Sequence, residues 1–367
     1  MINTPMRLLI AASGTGGHLF PAIALAEQLP DYQIEWLGVA DRLETQLVPS
    51  QYPLHTINIE GLQQRFGIGT LPILGKFVRS IFQVRRLLKQ EKFEGVFTTG
   101  GYIAAPAVIA ARSLGLPAIL HESNAIPGKV TRALSPWCNA VALGFESAAL
   151  SLPRARTIYT STPVRSQFQP GEIDKLPPLD LSIPSDVPLI LIVGGSQGAV
   201  AVNKLVRQCA SAWFDAGAWI VHLTGDRDSE VDSLKHPQYL TLPFYDNMAR
   251  LMQRANLVIG RAGAGTVTEL AITRKPAIFI PLPTAAEDHQ FYNAQVLGAV
   301  GAALVFRQAE LTRELLTSQV LSLLRSPAQL EMMGNKAGAS AVPDSAQRLA
   351  SLVREVVEGW RVEKLNV

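Results

Sequence analysis

Short apolar runs spaced by stretches of helical period organise this chain. Residues 8–12, 34–37, 55–59, 96–98, 118–121 and 140–143 are runs of strand length, and amphipathic stretches lie between them, the first carrying Ala24, Leu25 and Leu29. Continuous rather than alternating apolar runs belong to strands covered on both faces, and strands alternating with helices form parallel sheets. From 169 to 188 the pattern lapses, because Pro170, Pro177, Pro178, Pro184 and Pro188 interrupt a polar stretch without period, which reads as a linker. It then restarts with a strand at 189–193, a glycine turn at 194–198, a helix at 199–209 and further strands at 219–223, 257–259, 277–280 and 303–305. Helical stretches at 311–324 and 345–360 close the chain. The expectation is an α/β protein of two Rossmann-like doubly wound domains: 1–166, a linker at 167–187, 188–342, and a C-terminal helix within 343–367 that packs back on the first domain. Ligands of open α/β sheets bind at the carboxyl ends of the strands, so the glycine turns of both halves are expected along one inter-domain cleft.

One amphipathic stretch has two readings. Leu74, Phe77, Val78, Ile81, Val84 and Leu88 form an apolar stripe, Lys76, Arg79, Arg86 and Lys89 flank it, and Leu71 and Ile73 precede it. On pattern alone this is a core-facing helix with a solvated basic side. The other reading is an interfacial helix whose exposed apolar residues enter a bilayer while basic neighbours meet anionic lipid.

Composition narrows the classes. At 367 residues two domains are expected, and a net charge of +3 with 17% charged residues argues against a general nucleic-acid binder. Cys138 and Cys209 lie far apart without metal-type spacing and read as reduced thiols of a cytosolic protein. The first apolar run is too short for a signal-peptide core. The weakly charged stretch 102–120 is broken by Pro106, Arg112 and Pro117, so it reads as a helix followed by a buried strand, and nothing spans a membrane.

The chemistry concentrates at the strand ends. In Gly14-Thr15-Gly16-Gly17-His18, glycines permit positive φ and close approach of a ligand, and the helix beyond presents unpaired N–H groups and partial positive charge, which makes an anion site. The dinucleotide pattern Gly-x-Gly-x-x-Gly fails, since Leu19 stands at its third glycine, and no acidic residue ends the second strand: Glu35 lies within it and Asp41 beyond. Gly194-Gly195-Ser196-Gln197-Gly198 fits the nucleophile elbow Gly-x-Ser-x-Gly, with Asp226 and His289 following in the order a hydrolase needs. Glycine turns in both halves argue instead for Ser196 as a hydroxyl donor to phosphate. A third turn, Arg261-Ala262-Gly263-Ala264-Gly265-Thr266, leads into a helix holding Glu269, which suits either a ribose diol or the dipole of its own helix. Glu287-Asp288-His289-Gln290 lacks a further ligand at metal spacing and suits sugar hydroxyls. His121-Glu122-Ser123-Asn124 likewise places polar groups where an apolar run stops, while Phe291 and Tyr292 suit either a sugar pocket or the core.

Taken together with Pro163-Val164-Arg165, these motifs resemble, in order and over essentially the whole chain, the family of bacterial transferases that move N-acetylglucosamine from UDP-N-acetylglucosamine to lipid I, giving lipid II for peptidoglycan. The resemblance implies a GT-B fold, inverting transfer to the muramoyl 4-hydroxyl, no cofactor, no metal, and peripheral attachment to the cytoplasmic face of the inner membrane. It implies donor contacts at Thr15, Gly16, Gly17, Asn124, Arg165, Ser196 and Gln290, with Glu269 on the ribose, Ala264, Gly265 and Thr266 on the diphosphate and sugar, and uracil read by the main chain at Tyr245. It reverses the reading of the basic helix, making Leu71, Leu74, Lys76, Val78, Arg79, Ile81 and Phe82 a membrane patch on an anionic surface. Other cell-wall synthesis proteins are implied as partners. His18 is the expected base, with Glu122 the alternative, and the opening turn is expected to meet the lipid-linked diphosphate. The chain departs from the family at Ser161-Thr162, where Gly-Asn is usual. A GT-B glycolipid synthase acting on another lipid acceptor, a nucleotide-sugar sensor and a Ser196 hydrolase are the competing readings.

Overall fold

A computed structural model describes residues 5–40, 42–59, 70–195 and 198–365. The chain divides into two compact units, Met1–Arg165 with Asp344–Val367, and Ser166–Pro343.

In the first unit β1 (Met6–Ala11), β2 (Tyr32–Val39), β3 (Leu54–Ile57), β4 (Gly95–Thr98), β5 (Ala118–Glu122), β6 (Ala140–Leu143) and β7 (Thr157–Tyr159) form one parallel sheet of order β3-β2-β1-β4-β5-β6-β7. Successive side chains of a strand point to opposite faces, and here both faces are covered. Leu8, Ile10, Phe97 and Ile119 pack under α1 (Gly16–Glu27) and the C-terminal helix Ser345–Leu365. Leu9, Ala11, Val96 and Leu120 pack on the other side with Val84, Leu88 and Val108, which come from α3 (Thr70–Gln90) and α4 (Ala104–Ser113); α2 (Glu44–Leu47) and α5 (Lys129–Leu134) are short. That double burial is why the runs are continuously apolar. The C-terminal helix brings Leu349, Val353 and Val357 to the sheet. Gly95 makes this possible, since a Cβ there would lie 2.9 Å from Val357 Cγ2. Cys138 and Cys209 are free, and burial pushes the Cys138 thiol up to about 12.

In the second unit β8 (Leu189–Val193), β9 (Trp219–Leu223), β10 (Tyr239–Leu242), β11 (Leu257–Gly260), β12 (Ala277–Phe279) and β13 (Ala303–Val305) form a parallel sheet of order β10-β9-β8-β11-β12-β13. Its helices are α6 (Val200–Asp215), α7 (Met248–Arg254), α8 (Ala264–Ile272), α9 (His289–Gly298), α10 (Arg313–Leu324) and α11 (Pro327–Ala339). In each sheet the strand order reverses beside the first strand, at β1/β4 and at β8/β11, the position where such sheets bind ligands at the carboxyl end.

The stretch expected as a separate linker belongs to the second unit. Phe168 and Ile173 are buried, Asn247 Nδ2 donates to the Pro177 carbonyl (3.0 Å), and Arg254 Nη2 donates to the carbonyls of Pro184 (2.7 Å) and Val187 (2.8 Å). Side chains of and beside α7 satisfy its carbonyls, so an aperiodic, proline-broken stretch with only two short 3-10 turns, Ser166–Phe168 and Ile173–Lys175, is held in place.

Candidate active site

In the first unit the turn after β1 is held by a residue that motif reading overlooks. Glu44 is fully buried; its Oε1 accepts from Ser13 Oγ (2.6 Å) and the Val39 N–H (2.7 Å), and its Oε2 from the Gly14 N–H (3.2 Å). Gly14 sits at φ +107, which only glycine adopts readily. Gly38 leaves room for the carboxylate, since a Cβ there would come 2.8 Å from Glu44 Cγ. No side chain caps α1, whose N-cap is Thr15.

His18 lies in the first turn of α1, half-buried. Its Nδ1 is 2.8 Å from the Thr99 carbonyl, which only accepts, so Nδ1 carries the hydrogen and a neutral ring has its lone pair on Nε2. Gly100 and Gly101, both at positive φ, pass beside the ring; a Cβ on Gly101 would lie 3.8 Å from His18 Nε2. His121 is wholly buried, donating from Nε2 to the Ser161 carbonyl (3.2 Å) and accepting at Nδ1 from Ser123 Oγ (3.3 Å). Burial, helped by the nearby His18, lowers it to about 4.

Glu122 holds its own loop: Oε1 accepts from the Asn124 N–H (2.9 Å) and Asn124 Nδ2 (3.1 Å), and Oε2 from the Gly128 N–H (3.2 Å). Both oxygens of this alternative base are thus already acceptors within its own loop. The loop before Arg165 keeps a glycine-like shape without glycine, because Ser161 takes φ +62. The Arg165 guanidinium stacks on the Phe20 ring, 4.5 Å from its centroid, and Gly16 makes room for that ring, since a Cβ would lie 2.7 Å from it.

In the second unit Gly194, Gly195 and Gly198 surround Ser196, which lies outside the described residues. A Cβ on Gly198 would lie 2.3 Å from the Thr224 carbonyl oxygen. Behind this turn runs a buried polar chain. Tyr239 O–H donates to His222 Nδ1 (2.7 Å), His222 Nε2 to Asn203 Oδ1 (2.9 Å), and Asn203 Nδ2 to the Thr224 carbonyl (2.9 Å) and Asp228 Oδ2 (2.8 Å). Arg207 closes it with a bidentate pair to Asp228 (2.7 and 3.1 Å). Burial lowers His222 to about 3; Asp228 is held below its ordinary value by Arg207 and Asn203 against the opposing effect of burial. The chain fastens the first turn of α6 to the 224–228 loop, and its members are too scattered for motif reading.

No side chain caps α6 or α8, whose N-caps are Ala199 and Gly263. Ala264, Gly265 and Thr266 form the first turn of α8, and Glu269 stands half-buried beyond them. Arg261 is buried and ties the strand ends together, donating to the carbonyls of Ile280 (2.8 Å) and Pro281 (3.0 Å). Gln290 Oε1 accepts from the Leu282 N–H (2.9 Å), which directs its amide from the α9 start. Glu287 and Asp288 are both left-handed there, and Arg307 holds Asp288 (2.7 Å) while stacking on Phe291 (3.9 Å). Tyr245 O–H donates to Asp180 (2.6 Å), which turns its ring onto the 166–187 segment. Among the described residues no three His, Cys, Asp or Glu are grouped to hold a metal ion.

On α3 the stripe divides. Phe77, Val84 and Leu88 pack on the core, whereas Leu74, Val78 and Phe82, four residues apart, are 52%, 44% and 66% exposed, with Lys76 and Arg79 exposed beside them. Ile81 is half-buried, and the Leu71 side chain lies outside the described residues. No described helix is long and apolar enough to cross a membrane.

Two doubly wound parallel sheets, each opening on a glycine turn and an uncapped helix, place the chain in the GT-B fold class. The profile of the glycosyltransferase family 28 N-terminal domain matches residues 8–143, and that of the C-terminal domain 189–349. The UDP-N-acetylglucosamine--N-acetylmuramyl-(pentapeptide) pyrophosphoryl-undecaprenol N-acetylglucosamine transferase of Nostoc punctiforme is 68% identical over 98% of this chain and 100% of its own length, and that of Gloeothece citriformis 62% identical over 96% and 97%. The crystal structure of Acinetobacter baumannii MurG superposes with a TM-score of 0.75 at 32% identity, covering 96% of this chain and 100% of that one. The chain belongs to this family of N-acetylglucosamine transferases.

Proposed function

We infer that this chain transfers N-acetylglucosamine from UDP-N-acetylglucosamine to lipid I, giving lipid II in peptidoglycan synthesis. The acceptor 4-hydroxyl oxygen bonds to the anomeric carbon, the bond from that carbon to the UDP oxygen breaks with its electron pair on the β-phosphate, and the hydroxyl proton goes to His18 Nε2. The observation that carries this assignment is the His18 ring itself, which commits Nδ1–H to Thr99 and keeps its acceptor nitrogen on the other edge. The uncapped first turns of α6 and α8, with Ser196 and the amides of Ala264, Gly265 and Thr266, receive the diphosphate charge as it develops. Glu269 takes the ribose diol, Gln290 and Asn124 the sugar hydroxyls, and Arg165 a phosphate; uracil meets the Tyr245 main chain, since its phenol already serves Asp180.

The exposed stripe Leu74, Val78 and Phe82, with Lys76 and Arg79, supports a peripheral position on the anionic cytoplasmic face of the membrane that carries the acceptor. Other cell-wall synthesis proteins would meet the enzyme there. The test is UDP release from UDP-N-acetylglucosamine with and without a lipid I analogue: release that requires the analogue is expected. Release without acceptor, or only with a diacylglycerol acceptor, would refute the assignment.

A further inference from the structure

We propose that Glu44 is a positioning residue for the reaction, its carboxylate setting the backbone of the 13–18 turn from which His18 and the α1 amides act. Burying a carboxylate completely is costly unless hydrogen bonds compensate, and Glu44 has three donors from two separate segments. Two of them, Ser13 Oγ–H and the Gly14 N–H, belong to the turn itself; the third, the Val39 N–H, belongs to the end of the neighbouring strand β2. The carboxylate therefore pins the turn to the sheet where the chain leaves β1 at a left-handed glycine. Four residues on, the His18 ring is fixed independently by Thr99. The imidazole is thus held at both ends, by its backbone through Glu44 and by its ring through the loop after β4. A displacement of about 1 Å in such a group costs on the order of a hundredfold in rate. Glu44 touches no reacting atom; it acts through the turn.

This rests on the reading of the 13–18 turn as part of the reacting site, and the experiment separates the two. Glu44→Gln keeps the shape but turns an N–H₂ toward donors. In the full-length enzyme, kcat with a lipid I analogue is expected to fall roughly ten- to a hundredfold. The UDP dissociation constant, measured by calorimetry on the same sample, should stay within about twofold, because the second-unit turns that take UDP are untouched. The pH profile of kcat should drop in height with its limbs unmoved. Ser13→Ala, which removes one of the three bonds, should show the same split at about threefold, and carries the test if Glu44→Gln does not fold. A kcat within about twofold of native in the folded variant, or UDP affinity lost in step with kcat, would overturn the proposal. If His18→Ala keeps its rate while Glu44→Gln loses it, the base assignment falls and the positioning role stands.

Discussion

The base role proposed for His18 turns on one hydrogen bond. Donation from Nδ1 to Thr99 leaves Nε2 as the acceptor, and removing that acceptor in His18→Ala should lower kcat at saturating substrates by about a hundredfold or more. A rate near native would exclude it as base. The two buried histidines behave differently. His121 and His222 are kept neutral down to about 4 and about 3 by burial, whereas in the unfolded chain they take up protons near their ordinary value of 6.5. The unfolded state then binds more protons below that value, so their contribution is complete above about pH 6.5 and is lost as pH falls toward 4, by about 3 kcal/mol for His121. Asp228, also lowered, adds a further loss below its ordinary 3.8. Urea unfolding at pH 7.5, 5.5 and 4.5 should show the midpoint falling; a constant midpoint would contradict the burial. The position of His18 in the first turn of α1 was legible because it follows a glycine motif. Glu44 and the Asn203–His222–Asp228 chain were not, because their meaning comes mostly from partners 17 to 31 residues away, such as Ser13 for Glu44 and Tyr239 for His222, that no local spacing records.

At the scale of elements, legibility followed burial. β5, β8 and β11 are buried throughout, as is β1 from Leu8 on, and their apolar runs announce them. β7 and β10, edge strands of three or four residues that are mostly half-buried, carry no apolar run long enough to announce them. Helix α3 is a different case, since one stripe in the sequence serves two surfaces and only the structure separates them. Val78→Asp with Phe82→Asp should abolish binding to vesicles containing anionic lipid while leaving turnover of a water-soluble acceptor within about twofold. Unchanged vesicle binding would remove this helix from the membrane contact.

For the whole molecule, two sheets in the same order were readable as a repeated plan, because the second glycine turn restarts the pattern after the prolines. Assigning 166–187 to the second unit was not, because backbone carbonyls received by Asn247 and Arg254 leave no trace in an apolar pattern. Ending the chain at Pro343 should unfold the first unit, since Leu349, Val353 and Val357 each contribute about 1.5–3 kcal/mol of burial against a total stability of about 5–15 kcal/mol. Such a protein should still bind UDP but lose its N-terminal half to protease; retained turnover would contradict this. The same discontinuity orders events during synthesis. The second unit, 166–343, is one uninterrupted length and is complete before the C-terminal helix is made. The first unit, although its sheet is made first, keeps one sheet face covered by α1 alone until Ser345–Leu365 has been added, so its core closes only after the second unit has been made.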